Sequence, residues 1–280
     1  MSHRPRRRVS CRELRMSFRQ DVATRWAIVT GASGGLGLAF AWSLARRGYS
    51  LVLIARSEAK LRALAQQILV EYPHLQVHVH PKDLGRPDAA AELMTALAGM
   101  QIVPTVLVNN AGRGLMGPLI GQDAATLRAM IELNVQSLVE LSLLAARAMS
   151  TRSEGYILQV ASMAALGPTP GLAAYGASKA FVRSFGEALH AELAPRITVT
   201  TFLPGLMDTG FNAAAGGYEA PGWARATVIT PKQAVEIGLD ALFKHRSSVI
   251  SGRLNRLMAA IGRFTPRRSQ ARMLARQMPQ

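Results

Sequence analysis

The chain has 280 residues, 49% of them hydrophobic, enough to bury one substantial core, and its single cysteine, Cys11, rules out an internal disulfide and fits a reducing compartment. A net charge of +16 points first to nucleic acid, but residues 1–20 hold seven Arg and one Glu, and residues 244–280 hold nine Lys/Arg and no acid. The 21–243 segment between them, with seventeen bases and sixteen acids, is close to neutral, so no nucleic-acid partner is expected for it.

Residues 1–21 read as a basic, disordered arm. No apolar stretch follows it, which argues against a secretory signal; an organelle-targeting leader and a start at Met16 both fit. The next segment, WAIVT (26–30), reads as a short buried strand, and LAFAWSLARR (38–47) reads as a helix that Gly48 ends. Between them lies Gly31-Ala-Ser-Gly-Gly-Leu-Gly37. A strand, a glycine-rich turn and a helix N-terminus together build an anion site: glycines let backbone approach a pyrophosphate, and free N–H groups with the helix dipole favour its charge. Gly31, Ser33, Gly34, Gly35, Leu36 and Gly37 are therefore candidate cofactor residues.

The second strand, SLVLIA (50–55), ends at Arg56-Ser57. An acidic residue here would take the adenosine ribose and repel a 2′-phosphate; Arg56 instead offers a planar cationic fork, which favours NADP(H) over NAD(H). The alternative is that Arg56 only begins the helix 57–70, whose charges Glu58, Lys60 and Arg62 look like a solvated face. Further strands are expected at 75–80, 105–109, 156–161, 197–203 and 248–250, with a long apolar helix over 124–149 containing Asn134. Strands alternating with helices predict an α/β fold: one Rossmann-type domain with a seven-stranded parallel sheet covered by helices on both faces. His78 and His80 lie on one face of the third strand without metal-type partners and read as structural.

The span from Ser162 to Lys179 carries the chemistry. Tyr175 and Lys179 are four residues apart, so on a helix they share a face. A phenol titrates near 10, and a neighbouring cation is expected to move it toward working pH. Ser162, at the end of the apolar run 156–161, is placed to hydrogen-bond the same substrate oxygen.

Taken together the chain resembles the short-chain dehydrogenase/reductase family, of the single-domain type, over residues 25–252. The resemblance is carried by TGASGGLG (30–37), Asp83-Leu84, NNAG (109–112), Asn134, Ser162, Tyr175-Gly-Ala-Ser-Lys179 and PGLMDT (204–209). It implies that Tyr175 exchanges the proton in carbonyl–alcohol interconversion, that Lys179 lowers its pKa and holds the nicotinamide ribose, and that Ser162 polarises the substrate oxygen. Asn134 is implied to hold a water leading protons to Lys179; a polar residue at a helix bend is the alternative. Asp83 and Leu84 are implied to bracket the adenine, though Asp83 could instead cap the helix beginning near Pro87. Asn110, Ala111 and Gly112 are implied to line the cofactor, and Pro204, Gly205 and Thr209 to touch its nicotinamide end. A non-catalytic cofactor-sensing or scaffolding protein is the competing class; the full set Asn134, Ser162, Tyr175, Lys179 argues against it.

The resemblance also implies a homodimer through the helices at 124–149 and 176–193. The segment between the PG motif and TPKQAVEIGLDALF (230–243) corresponds to a substrate lid; Phe211, Tyr218 and Trp223 supply apolar contact there or merely anchor the loop, and the sparse charge suggests a largely apolar carbonyl or alcohol. Residues 253–280 form a basic amphipathic extension, with Leu254, Leu257, Met258 and Ile261 at helical spacing among arginines. Three readings stay open for it: docking on the protein's own core, docking on a partner, or peripheral contact with an anionic membrane in a reductase of lipid or acyl-chain substrates. The extension has no apolar run long enough to cross a bilayer. The main reading is a cytoplasmic enzyme whose tail blocks a second subunit contact.

Overall fold

A computed structural model of the chain describes residues 24–207, 215 and 227–276. Seven parallel strands form one sheet in the order β3-β2-β1-β4-β5-β6-β7: β1 Trp26–Thr30, β2 Ser50–Ala55, β3 Val77–Pro81, β4 Pro104–Asn109, β5 Gly155–Val160, β6 Ile197–Leu203 and β7 Ser248–Ile250. The helices are α1 Gly35–Arg46, α2 Glu58–Glu71, α3 Ala89–Gly99, α4 Ala124–Ile131, α5 Ser137–Met149, α6 Ala173–Leu193, α7 Pro231–Phe243, α8 Arg253–Phe264 and α9 Arg267–Ala275.

Strand residues are apolar on both faces because helices cover both. Ala27, Val29, Leu51, Leu53, Val106 and Val108 pack beneath α1, α2 and α7 through Phe40, Leu44, Leu61, Ile68 and Leu239. The alternate residues Ile28, Val52, Ile54, Leu107 and Ile157 pack on the other side against α3 and α5 through Leu93, Leu97, Leu141 and Met149. Period-two alternation thus feeds two cores rather than one core and solvent.

β4 and β5 each begin one residue earlier than expected, at Pro104 and Gly155, and β5 ends at Val160 rather than 161; three other departures have physical reasons. β3 starts at Val77 rather than 75, because Leu75 closes a turn onto the Tyr72 carbonyl and buries itself there. α1 starts at Gly35 rather than 38: glycine propensity reads as loop, but the helix begins inside the glycine run. The 124–149 helix is not uniform; residues Glu132–Gln136 wind as a π turn between α4 and α5. This is also the described helix with the length and apolarity to cross a bilayer; it packs on α3 and β4 and buries Leu138, Leu141, Ala145 and Met149.

The strand order reverses between β1 and β4, and such a switch point leaves a crevice beyond the C-terminal strand ends.

Candidate active site

The crevice is a cleft of about 830 Å³. Its floor begins at the turn after β1, where Gly31 (φ +67°) and Gly35 (φ +53°) hold left-handed backbone that other residues adopt at a cost. Ser33, Gly34, Gly35 and Leu36 line the cleft, and Gly34 caps α1 with no side chain to take up the first-turn N–H groups. Gly37 lies behind them: a Cβ there would overlap the Gly31 carbonyl. Gly37→Ala is therefore expected to cost about 3 kcal/mol or more of stability, read as a lowered denaturant midpoint, because the atom it strikes is backbone.

Thr30 ties this turn to the end of β4. Its hydroxyl donates to the Val108 carbonyl (3.1 Å) and accepts from the Asn110 and Ala111 N–H groups (2.9 Å each), while Asn110 Nδ2 donates to the Thr30 carbonyl (2.8 Å). Asn110, Ala111 and Gly112 are thereby fixed along the cleft wall beside the glycine turn. Asp83 and Leu84 also line the cleft; Asp83 accepts from the Gly85 N–H (3.0 Å) in a local turn and does not cap α3, which starts at Ala89. Arg56 lies at the end of β2, as expected, and Lys60 and Lys82 join it on the lining. Lys60 is thus not only part of a solvated face. Its position one turn past Arg56 on α2 was the available signal.

The reactive cluster sits where β5 and α6 meet. Ser162 caps a short 3₁₀ turn, Met163–Leu166, and its oxygen accepts from the Ala164 N–H (3.1 Å). Its hydroxyl also hydrogen-bonds the buried Tyr175 phenol. Tyr175 and Lys179 lie one turn apart on α6, and Lys179 Nζ donates to the Val160 carbonyl (2.9 Å). Burial pushes the phenol up to about 12, with the Ser162 hydrogen bond pulling weakly the other way, and pushes the ammonium down to about 8. The expected lowering of the Tyr175 pKa by Lys179 is not seen among the protein's own groups: desolvation sets the direction, no contribution from Lys179 accompanies it, and Lys179 is turned to a carbonyl. The phenol is held protonated.

Asn134 is fully buried in the π turn. Its Oδ1 accepts from the Arg113 N–H (2.9 Å), and its Nδ2 donates to the Arg113 carbonyl (3.0 Å) and to Ser178 Oγ (3.1 Å). It stands behind Gly112 rather than on the cleft lining: a Cβ on Gly112 would lie 3.0 Å from Asn134 Oδ1 and 3.4 Å from Lys179 Nζ. Pro204 and Gly205 also line the cleft. Thr209 and the aromatic residues Phe211, Tyr218 and Trp223 lie outside the described residues.

The sequence left the tail's place open, and the structure puts one face of it at this site. Met258 of α8 and Leu274 of α9 line the cleft together with Met116, Leu172 and Met207. Asn255, nearly fully buried, fills the space beside Gly205 and donates to the Ser251 (2.9 Å) and Thr227 (3.3 Å) carbonyls. Tail residues so distant in sequence had no local signal marking them as cleft wall.

The short chain dehydrogenase family model matches residues 25–218. Over 185 residues the chain is 39% identical to the very-long-chain 3-oxoacyl-CoA reductase of Anas platyrhynchos, covering 64% of this chain and 58% of that protein. It thus spans less than two thirds of that relative's length. Among solved structures, a short-chain dehydrogenase from Sphingobium yanoikuyae in complex with NADPH is similar at a TM-score of 0.76 and 30% identity, covering 85% of this chain and 93% of that one. A bulky-bulky ketone specific alcohol dehydrogenase from Comamonas testosteroni is similar at 0.70 and 28%, covering 85% and 92%. With most of the chain matched in sequence and the fold shared beyond that match, this chain belongs to the short chain dehydrogenase family of oxidoreductases.

Proposed function

We propose that the protein is an NADP(H)-dependent oxidoreductase interconverting a ketone or aldehyde and an alcohol on an apolar, chain-bearing substrate. The observation that carries this reading is the meeting of Ser162, Tyr175 and Lys179 in a cleft that Met116, Leu172, Met207, Met258 and Leu274 also line. The likeness to a very-long-chain 3-oxoacyl-CoA reductase supports an acyl chain as the apolar part.

The residues present fit the cofactor. The α1 N-terminus and the glycine turn offer N–H groups to a pyrophosphate, and Arg56 with Lys60 and Lys82 offers cations to a 2′-phosphate. When bound, NADP(H) supplies or accepts the hydride. Asp83, Leu84, Asn110, Ala111, Gly112, Pro204 and Gly205 complete the proposed cofactor contacts. Ser162 orients the substrate oxygen toward Tyr175. The Tyr175 phenol, held protonated by burial, gives its proton to that oxygen as negative charge develops on it. Lys179 is proposed to return a proton to the phenolate, resupplied from a water that Asn134, behind Gly112, would hold.

Following NADPH consumption by the purified full-length protein on ketones and 3-oxoacyl thioesters of increasing chain length tests the reading. Turnover that rises with chain length is expected; no turnover on any of them overturns it. Arg56→Asp is expected to weaken NADPH by about tenfold or more while changing NADH little, since a carboxylate repels the 2′-phosphate that a guanidinium attracts. Fluorescence titration of both nucleotides decides, and a wild type that prefers NADH sinks the assignment.

The protein is further proposed to act in the cytoplasm as a homodimer. Ile131, Leu143 and Phe181 stay exposed on α4, α5 and α6, and a second copy across these helices would cover them. Light scattering of the full chain reads this directly.

A further inference from the structure

We propose that α8 and α9, each of which lends a residue to the cleft lining, form a docking surface for an anionic lipid bilayer. Leu254, Leu257, Ile261 and Phe264, at spacing i, i+3, i+7, i+10, make one apolar stripe along α8. In a helix packed on its own core such a stripe would be hidden. Here it is 40, 56, 59 and 88% exposed, and a different face is docked instead.

That docked face holds the arm in place. Asn255 bonds two backbone carbonyls beneath α8, and Met258 faces the cleft. Gln270 of α9 packs on Gly167 and donates to the Gly262 (2.7 Å) and Thr265 (2.9 Å) carbonyls, fixing the corner between the two helices. The stripe is therefore presented outward on a pinned arm.

Its charge selects the occupant. Residues 253–276 carry seven arginines and no acid. A second copy placed face to face would set arginines against arginines, which opposes self-association through this surface. A bilayer with anionic headgroups complements both parts: hydrocarbon takes the Phe264 and Leu257 side chains, and lipid phosphates take guanidinium forks whose stems lie along the interface. The arm also forms the cleft wall through Met258 and Leu274, so a chain-bearing substrate would pass between bilayer and cleft along this arm. Lipid contact stands apart from the reductase reading; delivery of substrate rests on it.

Co-sedimentation of the full-length protein with vesicles of phosphatidylglycerol and phosphatidylcholine tests the contact. Binding to these vesicles, weak binding to phosphatidylcholine alone, and loss of binding as salt rises are expected. Leu257→Glu/Phe264→Glu is expected to lower vesicle affinity by at least about tenfold. Arg256→Glu/Arg263→Glu, which keeps the stripe, should also lower it. Both variants should keep the wild-type circular dichroism and the turnover of a small soluble ketone. If the wild type turns over no carbonyl at all, the reductase reading fails while vesicle binding still decides this one. Equal binding to neutral vesicles overturns the proposal, and so does unchanged binding by the Leu257/Phe264 variant, which would assign it to the basic residues 1–20. A variant that changes the oligomeric state in light scattering also overturns it, by naming a protein as the occupant.

Discussion

Tyr175→Phe should lower turnover on the best carbonyl substrate by a factor of about 10² to 10⁴ while leaving NADPH affinity within about twofold. The substitution keeps the ring that fills the buried space at the start of α6 and removes only the hydroxyl that hydrogen-bonds Ser162. Loss of kcat with unchanged cofactor binding is the signature of a group needed only as the proton moves. The same profile should not appear in Ser162→Ala, where the phenol remains and a partial rate survives. Wild-type turnover in the phenylalanine variant would mean that the proton comes from elsewhere, and the proposed mechanism would fall with it.

Lys179→Met should abolish most activity and make the protein more stable. An ammonium pushed from 10.5 down to about 8 by burial costs the native state about 3 kcal/mol at neutral pH. Leaving the Val160 carbonyl without its partner returns about 1 kcal/mol of that, so a net gain of about 2 kcal/mol is expected. The pH dependence has a definite sign. Below pH 8 the lysine is charged in both folded and unfolded chains, and the variant's advantage is constant. From pH 8 to 10.5 the native wild type sheds the proton while the unfolded chain keeps it, so wild-type stability rises and the advantage shrinks. Urea denaturation of both proteins at pH 7 and pH 10 measures this. A variant less stable than wild type at pH 7, or an advantage that does not narrow by pH 10, would show that the buried charge is not what strains this helix.

Much of the sheet was legible because apolar runs bounded by polar turns leave little choice. The strands at 26–30, 50–55, 197–203 and 248–250 occupy those residues, and the parallel order follows from helices interleaved between them. The candidate residues of the glycine turn, NNAG, Ser162 and the Tyr175–Lys179 pair were legible as spacing, and most of them line one cleft. Three things were not. Local propensity placed the start of α1 past the glycines, whereas the helix begins at Gly35 and Gly37 approaches the Gly31 carbonyl too closely for a Cβ, a constraint that propensity does not register. Pairing a cation with a phenol by sequence distance said nothing of desolvation, which here decides the direction of both shifts. Part of the cleft's lining comes from Met258 and Leu274, far along the chain from Tyr175, and no periodicity inside the tail distinguishes a docked methionine from an exposed leucine.

The π turn at Glu132–Gln136 has a consequence for chain length rather than composition. A π turn spends one residue more than α winding needs for the same rise, so α4 and α5 run out of phase by about 100°. Removing a single residue from this segment would let the helix wind regularly and bond better along its backbone. It would also rotate position 134 away from Arg113 and Ser178, which the Asn134 side chain now joins. Backbone regularity and site geometry therefore make opposite demands on the number of residues here. A helix one residue shorter would keep the amino acids the chemistry uses and lose their alignment.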